Sequence, residues 1–275
     1  MKISEIKKEA RESLKGKWKK AAIITLTFMA LAFVIGFVQS YIGEENPLYS
    51  TIDLVFSIIT VPLSFGLLIS FIKLKRNEEV KNLDYFKEGF SRFKKSWGIT
   101  FRTFLKLLLP MILLLITFIP IGLIFIFVLI LIAATYSGID ILSPAITASP
   151  LGEFITHIDF ILKYWYIFVI LFILAIIYMI IKSLLYTLPY YISYDNPELS
   201  SKECVLKSAE LMKGNRSKYF LLLLSLSGWA ILAAFTFGIG LLWLMPYMQI
   251  ATVCFYEHLI NPKTENIEEA IKTKE

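Results

Sequence analysis

The stretch Tyr219–Tyr256, YFLLLLSLSGWAILAAFTFGIGLLWLMPYMQIATVCFY, runs 38 residues without a charge. As one helix it would extend about 57 Å at about 1.5 Å per residue, while the hydrocarbon core of a bilayer is about 30 Å thick. The segment must therefore fold back on itself. Its only mid-segment breakers are Gly238 and Gly240, so a tight external turn is expected near Phe237–Leu241, joining helices over 219–237 and 241–258. This hairpin decides the fold, because it sets the parity of the membrane crossings.

Four more stretches lack charge: Ala21–Gly43, Leu54–Ile72, Leu107–Ile139 and Tyr164–Ile181. An ionised side chain at mid-bilayer is costly and roughly 20 apolar residues suffice to cross it, so the alternation reads as an all-α, polytopic membrane protein. Composition agrees. A chain that is 57% hydrophobic, with a mean hydropathy of +0.67, exceeds what a soluble core of its size can hide. The heavily charged first twenty residues, followed by an apolar run without a small-residue cleavage site, argue against a signal peptide. Cys204 and Cys254 fall in a basic segment and an apolar span, and no disulfide is expected.

Lysine and arginine orient the spans. Residues 1–20 hold eight, 73–106 hold ten, 182–218 hold six and the tail after Asn261 holds three, leaving only Lys163 elsewhere. The positive-inside tendency puts these four segments in the cytoplasm. Splitting Leu107–Ile139 into a hairpin would export the basic segment 182–218, so it is read as one crossing. The expected layout is a single integral membrane domain of six transmembrane helices in three hairpins, with both termini cytoplasmic. In order these are an interfacial helix 2–18, spans 21–42 and 53–74, an amphipathic segment 80–98, span 105–132, an external loop 133–161, span 162–185, an interfacial helix 200–213, spans 219–237 and 241–258, and a tail 260–275.

A basic amphipathic segment precedes each hairpin, with related wording. Leu14-Lys15-Gly16-Lys17-Trp18, Phe93-Lys94-Lys95-Ser96-Trp97 and Met212-Lys213-Gly214-Asn215-Arg216 align, each with a glutamate upstream. Ile3, Ile6, Ala10 and Leu14 recur at helical spacing, as do Val205, Ala209 and Met212, and Ser200 with Glu203 has the spacing of a capping box. The three helices are expected to lie along the inner leaflet, apolar stripe in the acyl boundary and lysines on anionic head groups. Candidate lipid or partner contacts are Lys15, Lys17, Trp18, Lys94, Lys95, Trp97, Lys213 and Arg216.

With these segments read, the chain resembles the bacterial integral membrane family catalogued as domain of unknown function 975, found mainly in Firmicutes. The resemblance is carried by Glu9-Ala10-Arg11 through Trp18 and, most densely, by 194–256: Tyr194-Asp195-Asn196-Pro197, Ser208 to Asn215, Ser225 to Trp229, Gly238 to Trp243, Pro246-Tyr247 and Phe255-Tyr256. It implies a multi-pass protein of a bacterial plasma membrane and implies no activity. The chain is also similar to the membrane region attached to some glycerophosphodiesterases, without a counterpart of their catalytic domain.

The catalytic inventory is thin. His157 and His258 lie in no metal-binding helical spacing and beside no candidate nucleophile, and His157 with Asp159 and Glu153 reads as a solvated loop. Ser225 and Ser227 lack an intramembrane base and are expected to bond a neighbouring helix. Gln39 and Gln249 read as helix-pairing groups, and Tyr186, Tyr190, Tyr191 and Tyr194 as an interface belt. Pro62, Pro110, Pro120, Pro189 and Pro246, with Gly238 and Gly240, are candidate helix breaks. No cofactor and no metal are expected. Nucleic acid is rejected because the net charge of +6 is spread as juxtamembrane girdles. The leading expectation is a noncatalytic accessory or scaffold that engages anionic inner-leaflet lipid, a membrane protein partner or a second copy of itself. A carrier or conduit for a lipid or amphipathic peptide comes second and an intramembrane enzyme third.

Overall fold

The computed structural model describes residues 2–81, 83–136 and 158–261. Among them are ten helices and no strand: α1 Ile3–Leu14, α2 Trp18–Ile42, α3 Pro47–Lys75, α4 Asp84–Ser91, α5 Phe93–Tyr136, α6 Ile158–Leu184, α7 Pro189–Asp195, α8 Ser201–Met212, α9 Arg216–Phe235 and α10 Leu241–Ile260. Most of the loop expected to be external, including His157, and the tail beyond Asn261 lie outside the described residues. Among the described residues five helical stretches are long and apolar enough to cross a membrane: Trp18–Ile42, Pro47–Lys75, Phe93–Phe127, Val169–Asp195 and Arg216–Phe235. They mark a membrane-embedded protein. The sixth expected span, α10, is not among them, because Pro246, Tyr247, Gln249, Glu257 and His258 dilute its hydropathy.

The chain divides into two compact units, Met1–Thr103 with Leu184–Glu275, and Phe104–Ser183. In the second unit α5 and α6 meet through Phe118 and Phe172, ring centroids 5.7 Å apart. The first unit is built around α10, which packs on α1, α2, α3 and α9. From Ile250 to Tyr256 every residue of α10 is buried, so this half of the helix is enclosed on all sides by protein. The other half of the unit differs. Residues toward the α2–α3 and α9–α10 turns, such as Phe33, Phe37, Leu54, Trp229 and Phe235, are exposed apolar side chains.

The first and third basic segments share one backbone design. Each is a twelve-residue helix, α1 or α8, and the next helix begins four residues after its last. Gly16 and Gly214 hold φ of +77° and +85°, a left-handed conformation that a Cβ would strain. The flanking bonds also correspond: Lys17 N–H to the Leu14 carbonyl at 2.8 Å, Asn215 N–H to that of Met212 at 3.1 Å. The expected capping box is present, with Ser200 N–H donating to Glu203 Oε2 at 2.7 Å and Glu203 N–H to Ser200 Oγ at 3.3 Å. The middle segment departs. It has no glycine in register, α4 ends at Ser91, and Phe93 to Trp97 form the first turns of α5 rather than the end of an interfacial helix.

Several expectations are corrected. The apolar stripe of α1 does not enter the acyl boundary: Ile6, Ala10 and Leu14 are at most 1% exposed, and α1 packs chiefly on α10. On α8, Val205 and Met212 are buried with Cys204 and Ser208, α7 being its main neighbour, and on α4 Tyr85 and Gly89 are buried against α3. Helical periodicity marks an apolar face; whether lipid or protein covers it is decided by tertiary structure. Pro110 and Pro120 break nothing, since α5 runs helical through both. Pro62 and Pro246 lie inside helices, and Pro189 opens α7 at its first turn, where a missing N–H costs no bond. The glycine turn forms as expected, with Phe237 at φ +51° and Gly238 at φ +85° between α9 and α10. Ser225 and Ser227 donate to their own helix, to the Leu222 and Leu224 carbonyls at 2.7 Å each, and not to a neighbour.

Candidate functional site

The end of α3 is where charge converges. Its sequence places Lys73, Lys75 and Arg76 in and just past the last turn, where the helix dipole favours cations. The helix closes with Asn77 left-handed at φ +62° and Glu78 N–H returning to the Lys73 carbonyl at 2.9 Å. Lys17, from the α1–α2 turn, donates to the Leu74 carbonyl at 2.7 Å and to Asn77 Oδ1 at 2.5 Å, so it caps a helix other than its own.

From this end four elements are clasped together. Arg76 grips Asp195 of α7 with two parallel bonds, 2.7 and 3.0 Å, and donates Nε to Glu257 of α10 at 3.1 Å. Lys75 bridges Glu257 at 2.6 Å and Glu9 of α1 at 2.8 Å, and Glu9 also meets His258 at 2.9 Å. Tyr256 donates its hydroxyl to Asp195 at 3.0 Å. Beside them Lys73 pairs with Glu88 of α4 at 2.6 Å. The charged side chains of the cluster keep between 16% and 35% of their exposure, which places it between a buried and a surface ion network.

Protonation follows from the geometry. Burial raises the Glu9 carboxyl, but hydrogen bonds and charge from Lys75 and His258 outweigh it and hold it below its ordinary value. Arg76 is driven up by its bonds to Asp195, against desolvation, and is locked as a cation. Burial pulls Lys17 down, aided by the charges of Lys75 and Lys20. Burial also pushes the Cys204 thiol up, away from a reactive thiolate, and both cysteines are free and buried.

The eight candidate contact residues divide by fate. Lys17 is a cap. Lys95 donates to the carbonyls of Leu199 and, at 3.2 Å, Pro197, tying α5 to the loop before α8. Trp97 donates its indole N–H to the Ile58 carbonyl at 3.1 Å, and Trp18 packs on Tyr247 with ring centroids 6.4 Å apart. Lys15, Lys94 and Lys213 are exposed, and Arg216 is half-buried.

Of the four tyrosines expected as an interface belt, Tyr190, Tyr191 and Tyr194 are hydrogen-bonded packing groups, and Tyr186 is partly buried against the core. Tyr191 donates to Gln249 Oε1 at 3.4 Å, Tyr190 meets the Thr100 hydroxyl at 2.5 Å, and Tyr194 donates to Glu78 at 3.4 Å with Arg76 and Arg92 over its ring. Gln249 thus pairs two helices, as does Gln39, whose amide donates to Asp53 Oδ1 at 3.3 Å. Sequence reading missed the clasp residues Lys75, Arg76, Asp195 and Glu257 as partners. It also missed the crossing of α3 and α4, where a methyl on Gly66 would overlap the Tyr85 carbonyl and one on Gly89 that of Pro62.

The family model described as "Protein of unknown function (DUF975)" matches residues 1–263. The chain belongs to this family. Searches of curated proteins and of solved structures each found no match. In this DUF975 protein the segments that carried the resemblance supply clasp groups from both ends of the chain, Glu9 near the start and Asp195 and Tyr256 near the end.

Proposed function

We propose that the chain is a noncatalytic multi-pass protein of the bacterial plasma membrane, with six crossings and both termini cytoplasmic. Its basic face serves as an accessory or scaffold surface for anionic inner-leaflet lipid or a partner complex. One observation carries the reading. Glu9, Glu88, Asp195 and Glu257 are paired with internal cations, and among the described residues of the basic segments exposed lysines and arginines, Lys15, Lys94 and Lys213 among them, outnumber exposed carboxylates such as Glu5, Glu12, Glu79 and Glu210, so this face carries an excess of positive charge outward. Each such lysine near an anionic leaflet contributes about 1 kcal/mol.

The inventory of reactive groups also favours a noncatalytic role. His258 is engaged by Glu9, and the two thiols are buried. The carrier alternative relied on proline-freed carbonyls lining a path, and at Pro62 the freed carbonyl is taken by Trp97. The test is reconstitution into nanodiscs with graded phosphatidylglycerol. The triple variant Lys15→Gln, Lys94→Gln, Lys213→Gln should lose most of the preference for anionic over zwitterionic annular lipid. Unchanged preference, together with an unchanged set of co-purifying proteins, would remove the reading.

A further inference from the structure

A groove of about 350 Å³ opens on the first unit between the start of α2 and the turn-proximal half of the α9–α10 hairpin. Trp18, Trp229, Trp243 and Tyr247 supply its aromatic walls, Thr236 also lines it, and Arg11 of α1 contributes its one charged side chain. The volume is at the small end of the range for ligand pockets, about 300–1,000 Å³, and suits part of a single hydrocarbon chain.

The two hydroxyls of this groove are hydrogen-bonded within the protein, while its cation is not paired. Tyr247 donates its hydroxyl to the Lys7 carbonyl at 3.2 Å. Thr236 donates to the Ala233 carbonyl at 2.7 Å and accepts from Gly240 N–H at 2.8 Å. Arg11 has only its Nε bond to the Lys7 carbonyl, at 3.4 Å, and meets no carboxylate among the described residues. Its neighbour Glu12 pairs instead with Lys8, at 3.9 Å. An apolar trough with one uncommitted guanidinium is complementary to a ligand that is hydrocarbon along its length and anionic at one end. Guanidinium suits phosphate because it offers several donors in a fixed fork.

We propose that this groove is a discrete binding site for one anionic phospholipid, an acyl chain against Trp229 and Trp243 and the phosphate on Arg11. It deepens the reading above, resting on its membrane setting, but differs from it in being a single saturable site rather than a diffuse basic face. The two fail separately, since one depends on Arg11 and the other on Lys15, Lys94 and Lys213.

The experiment is native mass spectrometry of the full chain in detergent with added dioleoylphosphatidylglycerol, paired with tryptophan quenching by the brominated form of the same lipid. Wild type should retain one anionic lipid, with quenching that saturates at one equivalent. Arg11→Gln should weaken retention about tenfold while leaving phosphatidylcholine retention and the unfolding midpoint unchanged. Trp229→Leu with Trp243→Leu should weaken retention of both lipids, and the Lys15, Lys94, Lys213 triple variant should keep the single tight lipid. Equal retention by wild type and Arg11→Gln, non-saturating quenching, or a dimer cross-linked through Trp229→Cys in place of lipid would overturn the proposal.

Discussion

Trp97 on α5 donates its indole N–H to the carbonyl of Ile58 on α3, at 3.1 Å. That carbonyl is the one Pro62 leaves without its helical partner, because proline four residues on has no N–H to give. A helix defect in one element is thus repaired by the side chain of another, and the repair ties α5 to α3.

Trp97→Phe should destabilise the protein by about 1–2 kcal/mol, the usual penalty for leaving an acceptor unpaired away from water. In a Pro62→Ala background, where the substituted residue's own N–H can supply the missing bond, the same change should cost clearly less. Unfolding of the four members of this cycle in detergent measures the coupling, and equal costs in both backgrounds would show that the bond is incidental.

The clasp predicts strong asymmetry at Arg76. Arg76→Ala leaves Asp195 and part of Glu257 without their cation and should lower stability by about 2–4 kcal/mol, scaled down from a fully buried pair because these groups are part-exposed. Arg76→Lys should rescue only partly, since a point charge cannot reproduce the paired bonds to Asp195. Midpoints of chemical unfolding provide the check.

Acid should open the clasp at Glu9. Its folded-state carboxyl is held below the ordinary value of 4.5, so the unfolded chain binds the proton more readily. Its contribution to stability is therefore complete above that ordinary value and disappears as pH falls through the lower, folded-state value. A thermal midpoint profile should be flat near neutrality and drop on the acid side, and Glu9→Gln should flatten that drop.

Close backbone approach at the α3–α4 crossing makes Gly66 and Gly89 intolerant of size. Gly66→Val or Gly89→Val should push α4 off α3 and cost about 1–3 kcal/mol or more. Gly36, with open space around its Cβ position, should accept alanine without loss. Expression level and monodispersity in detergent would report the difference.

What could be read from the sequence were features that local chemistry determines. Gly238 stops α9 where an uncharged run is too long to be one helix, and Ser200 with Glu203 starts α8 by capping-box spacing alone. The twin turns at Gly16 and Gly214 were visible as repeated wording. Tertiary fate was not visible. The stripe of Ile6, Ala10 and Leu14 has the same periodicity whether it meets lipid or α10, and only packing distinguishes them. Arg76 and Glu257 sit 181 positions apart, and nothing local at either one names the other. Lys17 and Lys15 are alike in the sequence, yet one is a helix cap and the other faces outward.

The central claim is that the basic segments share one side of the membrane and that the α2–α3 and α9–α10 turns share the other. Impermeant thiol labelling of intact cells tests it on single-cysteine variants made after Cys204→Ser and Cys254→Ser. Glu44→Cys and Phe237→Cys should label from outside, and Lys15→Cys, Lys94→Cys and Lys213→Cys only after permeabilisation. External labelling at Lys15→Cys, or protection of Phe237→Cys until the membrane is opened, would contradict the account.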